Sequence, residues 1–389
     1  RDSFVVFVFA FAGGAFAFSL QDSEVDPSPD WPQWGGTNRD FKVSSTGLAE
    51  TWPEEGPPML WRRPLGDGYS AIVSDGKTLY TMYRHPTGAR DGREVVIALD
   101  AKTGQTSWEY AYREPLSEKM TTHFGPGPHS TPLIAGDRLF AVGAMGKLHA
   151  LDRKTGQLLW SRDLYNEFSM QRIGMKTNHG YSSSPMACGD NLILPVGGEG
   201  QAVMAFRQSD GSVAWQRHDF QLSPSSPLLI DVDGQEQLIL FTAAEIIGLN
   251  PENGDLYWNH PHKTEYDLNI SMPVWGEDNL LYMSSAYDGG SRVVELNQAD
   301  GATSVRELWF NKRMRVHFGS TIRLGDVIYG SSGDFGPAFF VGMDVKTGKV
   351  LWRQRGLAKA QIVFADDKFL IVDEDGHLSL ARPGSQGLK

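Results

Sequence analysis

The sequence predicts an all-β fold, a β-propeller of four-stranded antiparallel blades, and three observations carry that expectation. One short pattern recurs six times: a small residue, an aliphatic residue, usually Asp or Asn, a turn ending in Gly, and then a Trp. Each copy is preceded by a second turn followed by an apolar alternating run, so every unit holds two hairpins. The tryptophans recur at steps of 43 to 55 residues, the length of one blade.

Composition agrees with such a ring. The chain has 389 residues, 40% hydrophobic and 21% charged, with 43 Gly and 21 Pro, which is globular, turn-rich and larger than one ordinary core. Its 36 basic and 47 acidic residues give a net charge of −11 with no basic run, so nucleic acid is not an expected partner. A single cysteine, Cys188, excludes an intrachain disulfide and any Cys-x-x-Cys metal or haem motif.

Taken in order, residues 4–20 carry no charge and include the small-x-small steps Ala10-Phe11-Ala12 and Ala15-Phe16-Ala17. Residues 1–20 are therefore expected to be a secretory signal peptide lacking its charged start, which implies a periplasmic or extracellular protein with no membrane span after cleavage. Residues 21–56 follow as an acidic, Pro-rich linker and an N-terminal lead-in. The propeller is assigned to 57–389, with seven blades visible and the last hairpin cut short. Trp61 precedes the first complete blade. Either its strand completes blade seven, or the complete parent protein has an eighth blade, which is the expectation adopted.

The repeat itself runs Ala98-Leu99-Asp100, Thr103-Gly104, Trp108 and then Ala150-Leu151-Asp152, Thr155-Gly156, Trp160. The copies ending at Trp215, Trp258 and Trp352 keep the same spacing, whereas Glu295-Leu296-Asn297, Asp300-Gly301, Trp309 carries four extra residues. Asp or Asn folds onto its own turn, and Gly accepts positive φ before the next strand. The second hairpins are marked by Asp75-Gly76, Gly136-Asp137, Gly189-Asp190, Asp233-Gly234, Glu277-Asp278, Gly325-Asp326 and Asp366-Asp367. Trp61, Trp108, Trp160, Trp215, Trp258, Trp309 and Trp352 are expected to be structural, each docking over a small residue of a neighbouring strand.

These copies resemble the tryptophan-docking repeats of pyrroloquinoline quinone (PQQ) dehydrogenases and of their non-enzymatic relatives, including the propeller of outer-membrane protein assembly. The stretch Asp30-Trp31-Pro32-Gln33-Trp34-Gly35-Gly36-Thr37-Asn38-Arg39-Asp40 looks like the opening of exported PQQ-like propeller proteins. The resemblance covers residues 30–389 and implies fold strongly and function weakly. Dehydrogenases of that family pair adjacent cysteines near the cofactor and supply calcium ligands with a catalytic Asp. One cysteine and no matching Asp motif stand against that activity here. The expectation is an exported binding or assembly module without catalysis or cofactor. The alternative is a quinone-dependent oxidoreductase holding PQQ and calcium in the central funnel.

Antiparallel strands alternate direction, so all the long loops fall on one face: 109–129, 161–181, 259–269 and 311–317 between blades, and 84–93, 286–291 and 331–339 within them. Long loops on a rigid scaffold are where binding sites concentrate. Polar residues gather where the inner strands begin. His129, Arg172, His179, Tyr181, Glu265, Asn269, Arg315 and His317 are the candidate funnel residues for a protein partner or a small anionic or sugar-like ligand. No metal set is assigned. Asp231-Val232-Asp233-Gly234 and Asp373-Glu374-Asp375-Gly376 resemble fragments of calcium loops without the remaining ligands and are expected to be hairpin turns. No catalytic constellation is assigned either, and Cys188 is expected to be a shielded thiol.

Overall fold

The structure, a computed structural model, describes residues 5–8, 31–86, 92–123, 125–170, 178–334 and 338–389. The expected leader and linker fall almost wholly outside them. Among the described residues there are six four-stranded antiparallel sheets and a seventh of three strands, each in sequential order. Blade one spans 73–113, two 133–163, three 186–217, four 228–261, five 274–311 and six 321–355. Blade seven consists of Gln361–Ala365, Lys368–Val372 and Leu378–Ala381. This is the propeller, with the first strand of each blade inside and the exposed fourth strand at the rim.

In three of the six copies one side chain builds the repeated turn. Asp100 Oδ1 accepts hydrogen bonds from Thr103 N (2.8 Å), Thr103 Oγ1 (2.8 Å) and Lys102 N (3.1 Å). Asp152 and Asp344 do the same for their own turns. The Gly that ends the turn is doubly constrained in every copy but that of blade five, where a Cβ on Gly301 would meet nothing within 4 Å. Gly211 has φ +71°, and a Cβ there would lie 2.6 Å from the indole of Trp160, the tryptophan of the preceding blade.

Docking thus has two partners for an indole such as Trp160. Within its blade, Trp160 pairs across the strands with the small residue Ala150, as the sequence predicts. Between blades, its ring covers the next blade's turn, and its Nε1 donates to Gln208 O at 3.0 Å. Trp61 to Ala101 O, Trp108 to Arg153 O and Trp309 to Val345 O repeat that bond at the residue after the turn's first position. Trp258 departs, donating to Gln237 Oε1 in its own blade. The cause lies in blade five, whose four extra residues lengthen the hairpin Gly290–Ala299/Ala302–Asn311 and displace its turn, so that Val293, not Glu295, opposes Trp309.

The rim strand Trp61–Pro64 pairs antiparallel with Val5–Val8. Among the described residues it is not bonded to Leu378–Ala381. Residues 31–43 lie against the free edges of inner strands, along the axis of the ring: Ser74 N donates to Trp31 O, and Ile134 N to Pro32 O.

Candidate binding site on the long-loop face

Much of the polar sequence at the inner-strand starts is engaged between blades. Ala71 N donates to Thr131 Oγ1 (3.1 Å), Thr131 N to Ser184 Oγ (3.0 Å), and Ser184 N to Ser226 Oγ (2.9 Å). Ser225 Oγ donates to Ser271 O, and Ser320 Oγ to Ile362 O. These hydroxyls stitch each blade to the next, because an inner strand's free edge otherwise leaves buried N–H groups unmet.

Two candidates belong to that scaffold. Asn269 is fully buried: its Nδ2 donates to Thr242 O (2.7 Å), its Oδ1 accepts from Ser285 Oγ (2.5 Å), and its backbone N donates to Ser223 Oγ. Tyr181 is 1% exposed and packs in the core between blades two and three, where burial raises its phenol pKa. Neither faces a surface that a ligand reaches, which departs from the funnel expectation. Arg172 lies outside the described residues.

The remaining five fall into two groups. In the first, at the starts of blades two and three, His129 stacks on Tyr69 with ring centroids 5.3 Å apart and planes 11° from parallel. Burial, with His179 and Arg84 nearby, lowers the His129 pKa to about 4, and burial also lowers that of His179. Both imidazoles are neutral at pH 7.

The second group is more extensive and joins the loops of blades four to seven. Glu265 N donates to Tyr287 O, and the Tyr287 hydroxyl lies 2.5 Å from His317 Nε2. Tyr287 N donates to Asp334 Oδ2 (3.2 Å), and Arg315 Nη2 stands 3.4 Å from Asp334 Oδ1. Tyr266 meets Tyr287 edge to face at 5.0 Å. Burial, foremost, lowers the His317 pKa to about 4, and burial with Asp334 raises that of Tyr287. Phe318, 42% exposed, rests against His317 at 4.6 Å, and Lys359 Nζ lies 5.8 Å over its ring. Tyr287, Leu357 and Lys359 have positive φ, a strained conformation for such side chains that marks functional loops more often than scaffold. The group offers an exposed aromatic ring beside a paired cation and carboxylate.

Sequence reasoning missed Tyr287 and Asp334, which sit in within-blade loops and reach the site only through tertiary contact. It also missed a buried charge cluster between blades one and two. Arg84 and Glu94, both fully buried, pair at 2.6 Å, and Tyr112 Oη donates to Glu94 Oε2 at 2.7 Å. Lys147 Nζ lies 3.2 Å from Glu114, and Ala144 N and Met145 N donate to Glu94 and Glu114. Burial and the neighbouring Glu114 raise the Glu94 pKa to about 7. The signal that points to this cluster is Glu94 standing directly before the apolar run Val95-Val96-Ile97.

The inner-strand hydroxyls are engaged between blades, and Asp334 is held by Arg315 and the Tyr287 backbone. Among the described residues the one group of three carboxylates or histidines with ligand atoms within 4.8 Å of one another is Asp373, Asp375 and His377, at the blade-seven hairpin. There Asp373 Oδ1 accepts from Asp375 N and His377 N, as a hairpin turn requires. Cys188 is half-buried, and burial raises its thiol pKa, the setting of a shielded group.

A sequence model described as outer membrane protein assembly factor BamB matches residues 50–177 and 92–354. The chain belongs to this family. Among BamB proteins, that of Yersinia pestis is 23% identical over 276 residues, 66% of this chain and 64% of its own length. That of Shewanella oneidensis is 28% identical over 126 residues, covering 32% of this chain and 31% of the relative. The chain thus spans less than two thirds of either relative. In fold, it is similar to BamB from Moraxella catarrhalis, with TM-score 0.56, 16% identity and coverage of 84% and 88% of the two chains. It is similar also to a quinohemoprotein alcohol dehydrogenase from Comamonas testosteroni, with TM-score 0.59, 12% identity and coverage of 94% and 73%. BamB-type and dehydrogenase propellers therefore share this architecture. No helix among the described residues is long and apolar enough to cross a membrane.

Proposed function

We propose that the chain is an exported, periplasm-facing binding module that serves outer membrane protein assembly by docking a protein partner on the long-loop face of blades five and six. The observation that carries this reading is Phe318, an exposed aromatic ring resting against His317, which Tyr287 links to the Arg315–Asp334 pair. Rigidly backed aromatics beside an arginine are the groups that dominate protein interfaces. The family match supports the assembly role, and the donor set of the mouth supports binding over quinone chemistry. The test is binding of the purified outer membrane barrel-assembly complex from the source cell. Phe318→Glu should weaken binding at least tenfold with an unchanged melting temperature. Undiminished binding would move the docking surface elsewhere.

A further inference from the structure

The segment 31–43 forms a compact turn of its own. Gly36 N donates to Gln33 O, Arg39 N to Gly36 O, and Phe41 N to Gly35 O. A Cβ on Gly35 would lie 2.9 Å from the Arg39 backbone, and one on Gly36 would lie 2.9 Å from the Trp31 ring, both at positive φ. The two glycines therefore let the chain fold back on itself within the width of an indole.

That turn is bonded around the ring. Trp31 O accepts from Ser74 N of blade one (2.9 Å), and Pro32 O from Ile134 N of blade two (2.8 Å). The Arg39 guanidinium donates to Pro185 O, at the start of blade three, and to Pro227 O, at the start of blade four (2.7 Å), while its Nε donates to Gln33 Oε1. Phe364 N of blade seven donates to Phe41 O, and Val43 N returns the bond to Phe364 O. Trp34 packs against the core of blades four and five and against that of blades six and seven. Arg39 is 3% exposed, and among the described residues it makes no ion pair. A buried guanidinium with carbonyl partners alone is costly to desolvate and is kept only where those carbonyls hold it in place.

We propose that the bore of the ring is a peptide-binding site for this Trp- and Arg-bearing turn, occupied in cis by residues 31–43, and that the bound turn ties the first four blades to the seventh from the axis. One ligand touches the first, second, third, fourth and seventh blades. The inference stands independently of which partner docks on the long-loop face.

The experiment places a site-specific protease sequence in the exposed stretch 44–47 of the full chain and cuts it after folding. The freed N-terminal piece should co-elute with the ring on gel filtration, and a labelled synthetic peptide of residues 31–45 should exchange into the cut protein. Arg39→Met should lower retention of the piece at least tenfold. Release of the wild-type piece with the ring still folded, or undiminished retention in the variant, would overturn the proposal. A measurement on the unaltered chain covers the case of a variant that does not fold. The amides of Phe41, Ile134 and Phe364 should exchange as slowly as those of the blade cores, and loop-like exchange there refutes an occupied bore.

Discussion

Five histidines are pushed toward the neutral form by burial, and each makes the native chain a poorer proton acceptor than the unfolded one. The pKa values of His129 and His317 are lowered to about 4, those of His149 and His262 to about 3, and that of His179 is lowered too, burial being the first cause in each case. A depressed folded value contributes stability above the unfolded pKa, and that contribution is lost as pH falls through the folded one. Glu94, raised to about 7, and Glu114, also raised by burial, act oppositely: their contribution is present at low pH and lost as pH rises through the raised values. Five groups outweigh two, so the melting temperature should drop steadily between pH 6.5 and pH 4. A calorimetric series flat over that window would show the imidazoles to be solvated. Residue type alone did not separate the two roles at the channel mouth. Asn269→Ala should cost about 2 kcal/mol or more, since it strands several buried partners. Arg315→Ala, at a pair whose arginine is partly exposed and stands 3.4 Å from its carboxylate, should cost less than Asn269→Ala, about 1 kcal/mol. Urea denaturation of both variants decides it, and equal losses would erase the distinction.

The element most legible in sequence was the repeated hairpin turn, because its geometry is fixed within five residues by one Asp, one Thr and one Gly. The long-loop site was legible only in part. Glu265, Arg315 and His317 do converge, but the groups that join them, Tyr287 and Asp334, come from loops whose approach depends on how neighbouring blades are rotated. The helix Leu164–Phe168 was missed for a related reason: it is one turn long, held by Asp163 accepting from Asn166 N, and has no periodicity to detect. The docking geometry makes a sharper demand than the repeat pattern did, since the turn glycine and the preceding blade's indole form a single contact. Trp160→Ala should therefore destabilise by about 3 kcal/mol, and Gly211→Ala by at least about 1 kcal/mol through strain and collision together. If Gly211→Ala leaves the denaturation midpoint unmoved, the indole does not rest on that turn.

For the whole molecule, the blades are not equivalent. Among the described residues, blades one to six each carry a rim strand, whereas blade seven shows three strands, with no partner on the outer side of Leu378–Ala381. Local stability follows the number of paired edges and buried contacts. Hydrogen exchange should accordingly be fastest in blade seven, notably at Leu378–Ala381, and slowest in blades two to four. Uniform protection around the ring would show that the last blade is as firmly closed as the others.

The indole contacts also have a direction: with Trp258 the exception, the tryptophan of one blade lies on the turn of the blade made after it. As the chain is synthesised from its N-terminus, a newly completed blade leaves such an indole bare until the following turn has formed to cover it. Growth is thus a ratchet in which, outside blade four, a finished unit seals its predecessor and waits to be sealed. At any moment a single uncovered indole marks how far folding has advanced.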